Sequence, residues 1–324
     1  MIEFLTYIYP STSIKNKGLL NKVRFYSAAR LLVRSFANIA LPVYFKIENF
    51  LTDKYRLKND GTERLIVSFT SFPERIDKVW LVVETILRQS VKPEKLILWL
   101  SKEQFSSLNE LPTELLKQQG RGLEIYLCED DLRSHKKYYY TMVMYPSYDF
   151  ITIDDDFFYP SKMIENLLCN RDAQKIIAHR AFQLKFFNDD IAPYSDWTLM
   201  PDKVCSSTTT FATSGGGTYF PAGALHADTI DKEIFMKYSS LADDIWLYFM
   251  AVINDTETLK TDFSPFYLPI SISNNMTLSS VNVGEKMNDK QLHDLIFLYK
   301  ELRKLDIKKK LFRSRSEFQE TFCK

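Results

Sequence analysis

Residues 148–160 read YDFITIDDDFFYP: an apolar stretch, Asp149 to Ile153, runs straight into Asp154, Asp155 and Asp156, and aromatics then lead through Pro160 toward a new helix. Short apolar runs bounded by turn residues mark buried strands. Upstream the signal recurs at Arg64–Thr70 (RLIVSFT), Lys95–Leu100 (KLILWL) and Leu123–Cys128. Between these runs, helical spacing predicts Asp77–Gln89, with Val79, Trp80, Val83, Ile86 and Leu87 on one face, then Lys102–Gln118 and His135–Met144. Asn59-Asp60-Gly61, Pro93, Gly120 and Gly122 supply the turns. Strands alternating with helices imply an α/β fold, with a mostly parallel sheet and helices on both faces.

In open sheets of this kind ligands bind beyond the carboxyl ends of the strands. Three adjacent carboxylates there repel one another unless a cation neutralises them. Mg²⁺ and Mn²⁺ take oxygen ligands and bridge carboxylates to phosphates, which makes Asp154 and Asp156 candidate metal ligands. A solvated turn capping the next helix is the plainer account, and Asp156 alone would serve it.

A second acidic pair, Asp243-Asp244, opens the apolar helix Ile245–Ile253. Capping explains one of these carboxylates; the other is a candidate general base, with Asp244 favoured. The chain has only nine glycines, yet Gly215, Gly216 and Gly217 stand together with Gly223 close behind. Such a cluster suits backbone that bends sharply or approaches a ligand, and a surface loop is the duller alternative. Thr70, Ser71 and Arg75 follow the first strand, and Lys136 and Lys137 precede the acidic strand by one helix. Arg75, Lys136 and Lys137 could face one crevice and meet a diphosphate there, although a single surface lysine is more often simply solvated.

With 45% hydrophobic and 26% charged residues, the 324-residue chain has the make-up of a globular protein. A net charge of +1 gives no global field toward nucleic acid. Neither GxGxxG after the first strand nor GxxxxGK[ST] is present, so those dinucleotide and NTP sites are not indicated. Cys128, Cys169, Cys205 and Cys323 lie too far apart for a metal-binding pattern. Without a secretory pattern or a bilayer-length apolar run, the expectation is a cytoplasmic protein with free thiols. Both ends are basic: residues 1–60 hold ten Lys/Arg against four Asp/Glu, and residues 303–316 read RKLDIKKKLFRSRS. Mixed with bulky apolar residues, such ends suit either ordinary packing or peripheral contact with the inner face of an anionic membrane. The expected division is a helical basic segment at 1–60, a catalytic domain at 61–270 and a helical basic segment at 271–324. The domain splits into a nucleotide-binding half, 61–156, and an acceptor half, 157–270.

In TSFPER (70–75), ITIDDDFFYP (151–160), SGGGTYFP (214–221) and ADDIWL (242–247), the chain resembles the GT-A class of glycosyltransferases, notably bacterial enzymes that build cell-surface polysaccharides. The resemblance implies a GT-A, Rossmann-like fold. It also implies a nucleotide-sugar donor (a UDP-sugar favoured) held by Thr70, Ser71, Arg75, Asp154, Asp155, Gly216 and Gly217 with Lys136 and Lys137, Mn²⁺ or Mg²⁺ on Asp154 and Asp156, and an inverting general base at Asp243 or Asp244. The acceptor would be a hydroxyl of a glycan or lipid-linked glycan. His226 and His293 are available as further ligands but sit in no recognisable motif. Phe182 to Trp197 and the region after Ser264 would lie on the acceptor side. The rivals are a Mg²⁺-dependent phosphohydrolase using Asp154 and Asp156, a nucleotidyltransferase, and a glycan-binding protein without catalysis.

Overall fold

The computed structural model describes residues 1–11, 25–57, 64–188, 190–200, 204–263, 268–271 and 287–311. Among the described residues, the helices α1 (Ile2–Ser11) and α2 (Phe25–Leu51) precede the first strand. Then follow β1 (Leu65–Thr70), α3 (Ile76–Leu87), β2 (Lys95–Ser101), β3 (Leu123–Cys128), α4 (Lys136–Met144) and β4 (Asp149–Thr152). The second half adds α5 (Met163–Cys169), β5 (Lys175–Ala178), β6 (Cys205–Ser207), β7 (Thr218–Phe220), α6 (Lys232–Tyr238), α7 (Asp243–Ile253), β8 (Glu257–Lys260) and α8 (Met287–Leu302).

Eight strands form one sheet in the order β6-β8-β5-β7-β4-β1-β2-β3. β1 pairs in parallel with both β2 and β4, β2 with β3, and β5 with β8. β7 runs antiparallel to both its neighbours, β4 and β5, and β6 runs antiparallel to β8. The sheet is therefore mixed α/β and mostly parallel, as the strand and helix alternation predicts. Alternate strand residues feed two cores. Leu65, Val67, Phe69, Leu96, Leu98 and Ile151 pack against α2 and α3 on one face, whereas Ile66, Ile97, Trp99 and Phe150 pack against α7 and α8 on the other.

The expected helix over Lys102–Gln118 does not form. That stretch holds a 3-10 turn at Leu108–Glu110, a single helical turn at Thr113–Leu116, and another 3-10 turn at Lys117–Arg121. Pro112 breaks the chain, since its ring cannot follow a helical turn. Nor does α4 begin at His135, which closes a short 3-10 turn instead. Glu84 on α3 is fully buried, where Arg88, Arg121, Gln118 and Asn49 satisfy it. Through Asn49 this network fastens α2 to α3.

Candidate active site

The chain passes from β1 to β2 and β3 on one side, then returns to place β4 on β1's other side. A crevice opens at such a reversal, beyond the carboxyl ends of the two strands. Ser71 and Asp155 meet there: Ser71 Oγ donates to Asp155 Oδ2 at 2.6 Å. Arg75, at the entrance to α3, bridges Asp155 Oδ1 at 2.6 Å and Asp156 Oδ2 at 2.9 Å. Burial opposes the Arg75 charge, but Asp155 and Asp156 outweigh it and hold its pKa above the ordinary value. Thr70 turns aside, its hydroxyl donating to the Trp99 carbonyl at 2.7 Å.

Antiparallel β7 brings the glycine cluster to this same place. Thr218 pairs with Thr152, so the residues just before β7 lie beside those just after β4. A methyl at Gly215 would stand 3.0 Å from Asp154 Oδ2. Gly217 has a different reason to be glycine: its φ is +80°, and a Cβ there would meet the Met163 sulfur at 2.9 Å. That favours packing for Gly217, and Gly216 is buried in the short turn between the two.

The same turn reaches the acidic pair. Ser214 donates both its backbone N–H (3.1 Å) and its hydroxyl (2.5 Å) to Asp244 Oδ1. Lys137 links the two acidic groups, with Nζ 2.8 Å from Asp243 Oδ2 and 3.2 Å from Asp154 Oδ1. Although Lys137 is buried, Asp243, Asp154 and Asp244 keep its pKa above the usual lysine range. Burial likewise pushes Asp243 upward, yet Lys137 holds it below the ordinary carboxylate value. Lys136 does not join the group; it is buried against Asp131.

Two carboxyls keep strongly raised pKa values. Asp156 is lifted to about 7 by burial and by Asp154, against the pull of Arg75. Asp244 is lifted to about 7 by burial and by Asp243, against the pull of Lys137. Burial also raises Asp155, although Arg75 and Ser71 oppose it.

Among the described residues, Arg75 and Lys137 are the cations paired with these five carboxylates. Asp156 Oδ1 is buried and has no hydrogen-bond partner among them. A hard divalent cation would meet both the charge deficit and the orphaned oxygen. No group of three or more His, Cys, Asp or Glu side chains gathers around one point among the described residues. The described side chains therefore form no all-protein metal cage. His226 caps the short turn at Ala227–Ile230 and takes no part. His293 lies on α8.

Arg180 is not among the expected site residues, whereas Tyr194 falls in the Phe182 to Trp197 stretch expected on the acceptor side. Arg180, just past β5, is exposed beside the Ser214 turn; its Nη1 lies 3.3 Å from the Thr213 hydroxyl and its guanidinium 5.2 Å from the Phe182 ring centre. Tyr194 is within electrostatic reach of both Asp244 and Arg180, and contacts the rings of Phe182, Trp197 and Phe211. Of the region after Ser264, residues 264–267 lie outside the described residues. Leu268–Pro269 pairs with Phe157–Phe158, and Ile270 N–H donates to the Asp156 carbonyl at 2.8 Å. A lone arginine or tyrosine in a loop carries no local signal; its place depends on strand pairing.

No family model matches the chain, and no curated protein matches it. Among solved structures it is similar to the inositol-1-phosphate CTP transferase from T. maritima, with a TM-score of 0.41 and 9% identity, covering 71% of this chain and 97% of that one. A UTP-bound UGPase from Acinetobacter baumannii gives a TM-score of 0.37 and 11% identity, covering 76% of this chain and 97% of that one. Likenesses this distant carry no argument about the site.

Proposed function

We propose that the protein is a metal-dependent glycosyltransferase that moves a sugar from a nucleoside diphosphate, UDP favoured, to a hydroxyl of a glycan or lipid-linked glycan acceptor, with inversion. One observation carries this reading: Lys137 and the Ser214–Gly215 turn join the Asp154–Asp156 group and Asp244 into a single acidic cluster beyond the end of β4. A ligand-binding carboxylate group beside a carboxyl poised near neutrality is what donor binding and proton removal together require.

Asp154 and Asp156 would hold Mg²⁺ or Mn²⁺ jointly with the donor diphosphate, and the ion would offset charge on the departing nucleotide. Arg75 keeps Asp155 and Asp156 in place, while exposed Arg180 is placed to meet a phosphate oxygen. Ser214 fixes Asp244 through Oδ1, leaving Oδ2 to take the acceptor's proton. As that proton leaves, the acceptor oxygen bonds to the anomeric carbon and the bond from that carbon to the diphosphate oxygen breaks. The aromatic group at Phe182, Tyr194 and Trp197 supplies an apolar wall for a sugar face and limits competing water.

Calorimetric binding of UDP and GDP, with and without Mn²⁺, to wild type and Asp156→Ala tests the reading. Metal-dependent binding that is lost in the variant is the expected result. A folded protein that binds neither nucleotide under any metal condition overturns it. Pyrophosphate release from UTP with a sugar phosphate would point instead to nucleotidyl transfer, and hydrolysis of phosphomonoesters to the phosphatase rival.

A further inference from the structure

The two basic ends differ in what their charges do. Near the C-terminus, Arg303, Lys308 and Lys310 pair with Asp228 at 3.2 Å, Asp190 at 2.7 Å and Asp255 at 2.8 Å. These cations tie the chain end to the domain.

On α2 the situation is otherwise. One face docks on the sheet through Ala37, Leu41 and Phe45, all fully buried. The opposite face is also apolar: Leu32, Phe36, Ile39, Val43, Ile47 and Phe50 recur every three or four residues and all lie exposed. Leu32 is 71% exposed, Ile39 72% and Phe50 90%. A helix facing water on one side ordinarily carries polar residues there. A continuous exposed apolar stripe of this length marks a contact surface.

Charge decides which surface. α2 carries Arg30, Arg34 and Lys46 against a single carboxylate, Glu48, and Arg88 already holds that carboxylate at 3.3 Å. Arg30 and Arg34 have no ion pair among the described residues, but both are half-buried with buried Nε atoms on the docked side of α2, so Lys46 is the cation that stands beside the stripe. Lys46 stands between Val43 and Phe50 in sequence, its side chain 56% exposed, with Glu114 at 3.1 Å. A facing helix would cover its ammonium. A lipid headgroup layer would meet it with phosphate while the apolar residues enter the acyl boundary. The excess of base over acid across residues 1–60 adds attraction to the same partner. No helix among the described residues is long and apolar enough to cross a membrane, so α2 lies along the surface rather than through it.

We propose that α2 is a membrane-docking helix, lying in the plane of an anionic bilayer with Leu32, Phe36, Ile39, Val43, Ile47 and Phe50 inserted at the interface. The inference is independent of the chemistry assigned to the acidic crevice. It would place that crevice near a lipid-borne substrate.

Co-sedimentation of the full chain with phosphatidylglycerol/phosphatidylcholine vesicles and with pure phosphatidylcholine vesicles tests it. Wild type should pellet with the anionic vesicles, more weakly with neutral ones, and less as salt rises. Leu32→Glu/Ile39→Glu should weaken binding at least roughly tenfold, since it withdraws two aliphatic side chains from the interface and sets negative charge against anionic lipid. Phe50→Ser, at the most exposed site, is the milder variant and should lower binding with the fold intact by circular dichroism. A folded wild type that ignores both vesicle types overturns the proposal. So does a dimer that Leu32→Glu/Ile39→Glu splits into monomers without vesicle binding; a second copy would then cover the stripe. Vesicle binding that neither variant weakens overturns it as well.

Discussion

The triplet at the end of β4 and the pair at the start of α7 handle crowded carboxylates in different ways. In the triplet, Arg75 bridges Asp155 and Asp156, yet Asp156 Oδ1 stays buried without a partner among the described residues. In the pair, Lys137 pairs with Asp243, while Asp244 receives two hydrogen bonds from Ser214 and the weaker pull of the Lys137 charge. The triplet is left short of positive charge, which a bound cation can supply. Each group holds one carboxyl raised to about 7, Asp156 in the triplet and Asp244 in the pair; Asp244 is the one that Ser214 hydrogen-bonds. Lys137 reaches Asp154 as well as Asp243, so among the described residues the two groups differ in Arg75, which pairs with the triplet.

The largest expected effect separates the two groups by function. Asp244→Asn should cut turnover by roughly 10²–10⁴ while leaving UDP binding intact, whereas Asp156→Ala should abolish metal-dependent UDP binding. Steady-state kinetics paired with calorimetry reads both. Nucleotide binding lost equally in the two variants would break the distinction. Asp244→Asn should also be more stable than wild type at pH 8 in thermal melts. A carboxyl whose folded pKa is raised costs stability as pH rises through that value, and the amide removes the cost.

Lys137→Met tests the link between the groups. It leaves the buried Asp243 charge uncompensated, and truncating one partner of such a pair costs about 3–5 kcal/mol. Chemical denaturation measures this. A loss below about 1 kcal/mol would show that Lys137 is not what holds the pair.

A smaller effect concerns pH. Asp244 must be ionised to accept a proton, so its raised pKa predicts turnover that is full above about 7 and falls as pH drops through that value. A pH–rate profile at saturating donor and acceptor would show this limb, and a flat profile down to pH 5 would remove Asp244 as the base.

The smallest effects divide the glycines. Gly217→Ala should lower stability by about 1 kcal/mol or more, because its positive φ and the Met163 sulfur both oppose a side chain. Gly215→Ala should leave the melting temperature nearly unchanged and raise the donor KM, since its methyl crowds Asp154 Oδ2. Melting curves and donor titrations distinguish the two.

Much of the architecture was legible because strand and helix periods are local. β1, β2, β3 and β4 fall within a residue of their expected limits, and the acids sit beyond β4 as the pattern requires. The misread Lys102–Gln118 stretch has the composition of a helix, but Pro112 divides it. Lys136 and Lys137 are indistinguishable in sequence. On a helix, successive residues point about 100° apart, so Lys136 turns to Asp131 and Lys137 to the crevice.

The amino-acid sequence by itself determined the α/β layering, the carboxylates beyond β4 and the acidic start of α7, since each depends on a few neighbouring residues. Only the tertiary structure decided that these acids share one crevice, that Gly215 rather than Gly217 faces it, and that Arg180 and Tyr194 stand beside it. Those facts follow from β4 returning beside β1 and from β7 running antiparallel to β4. Strand order and pairing sense are set by packing of the whole sheet, and no local pattern carries them.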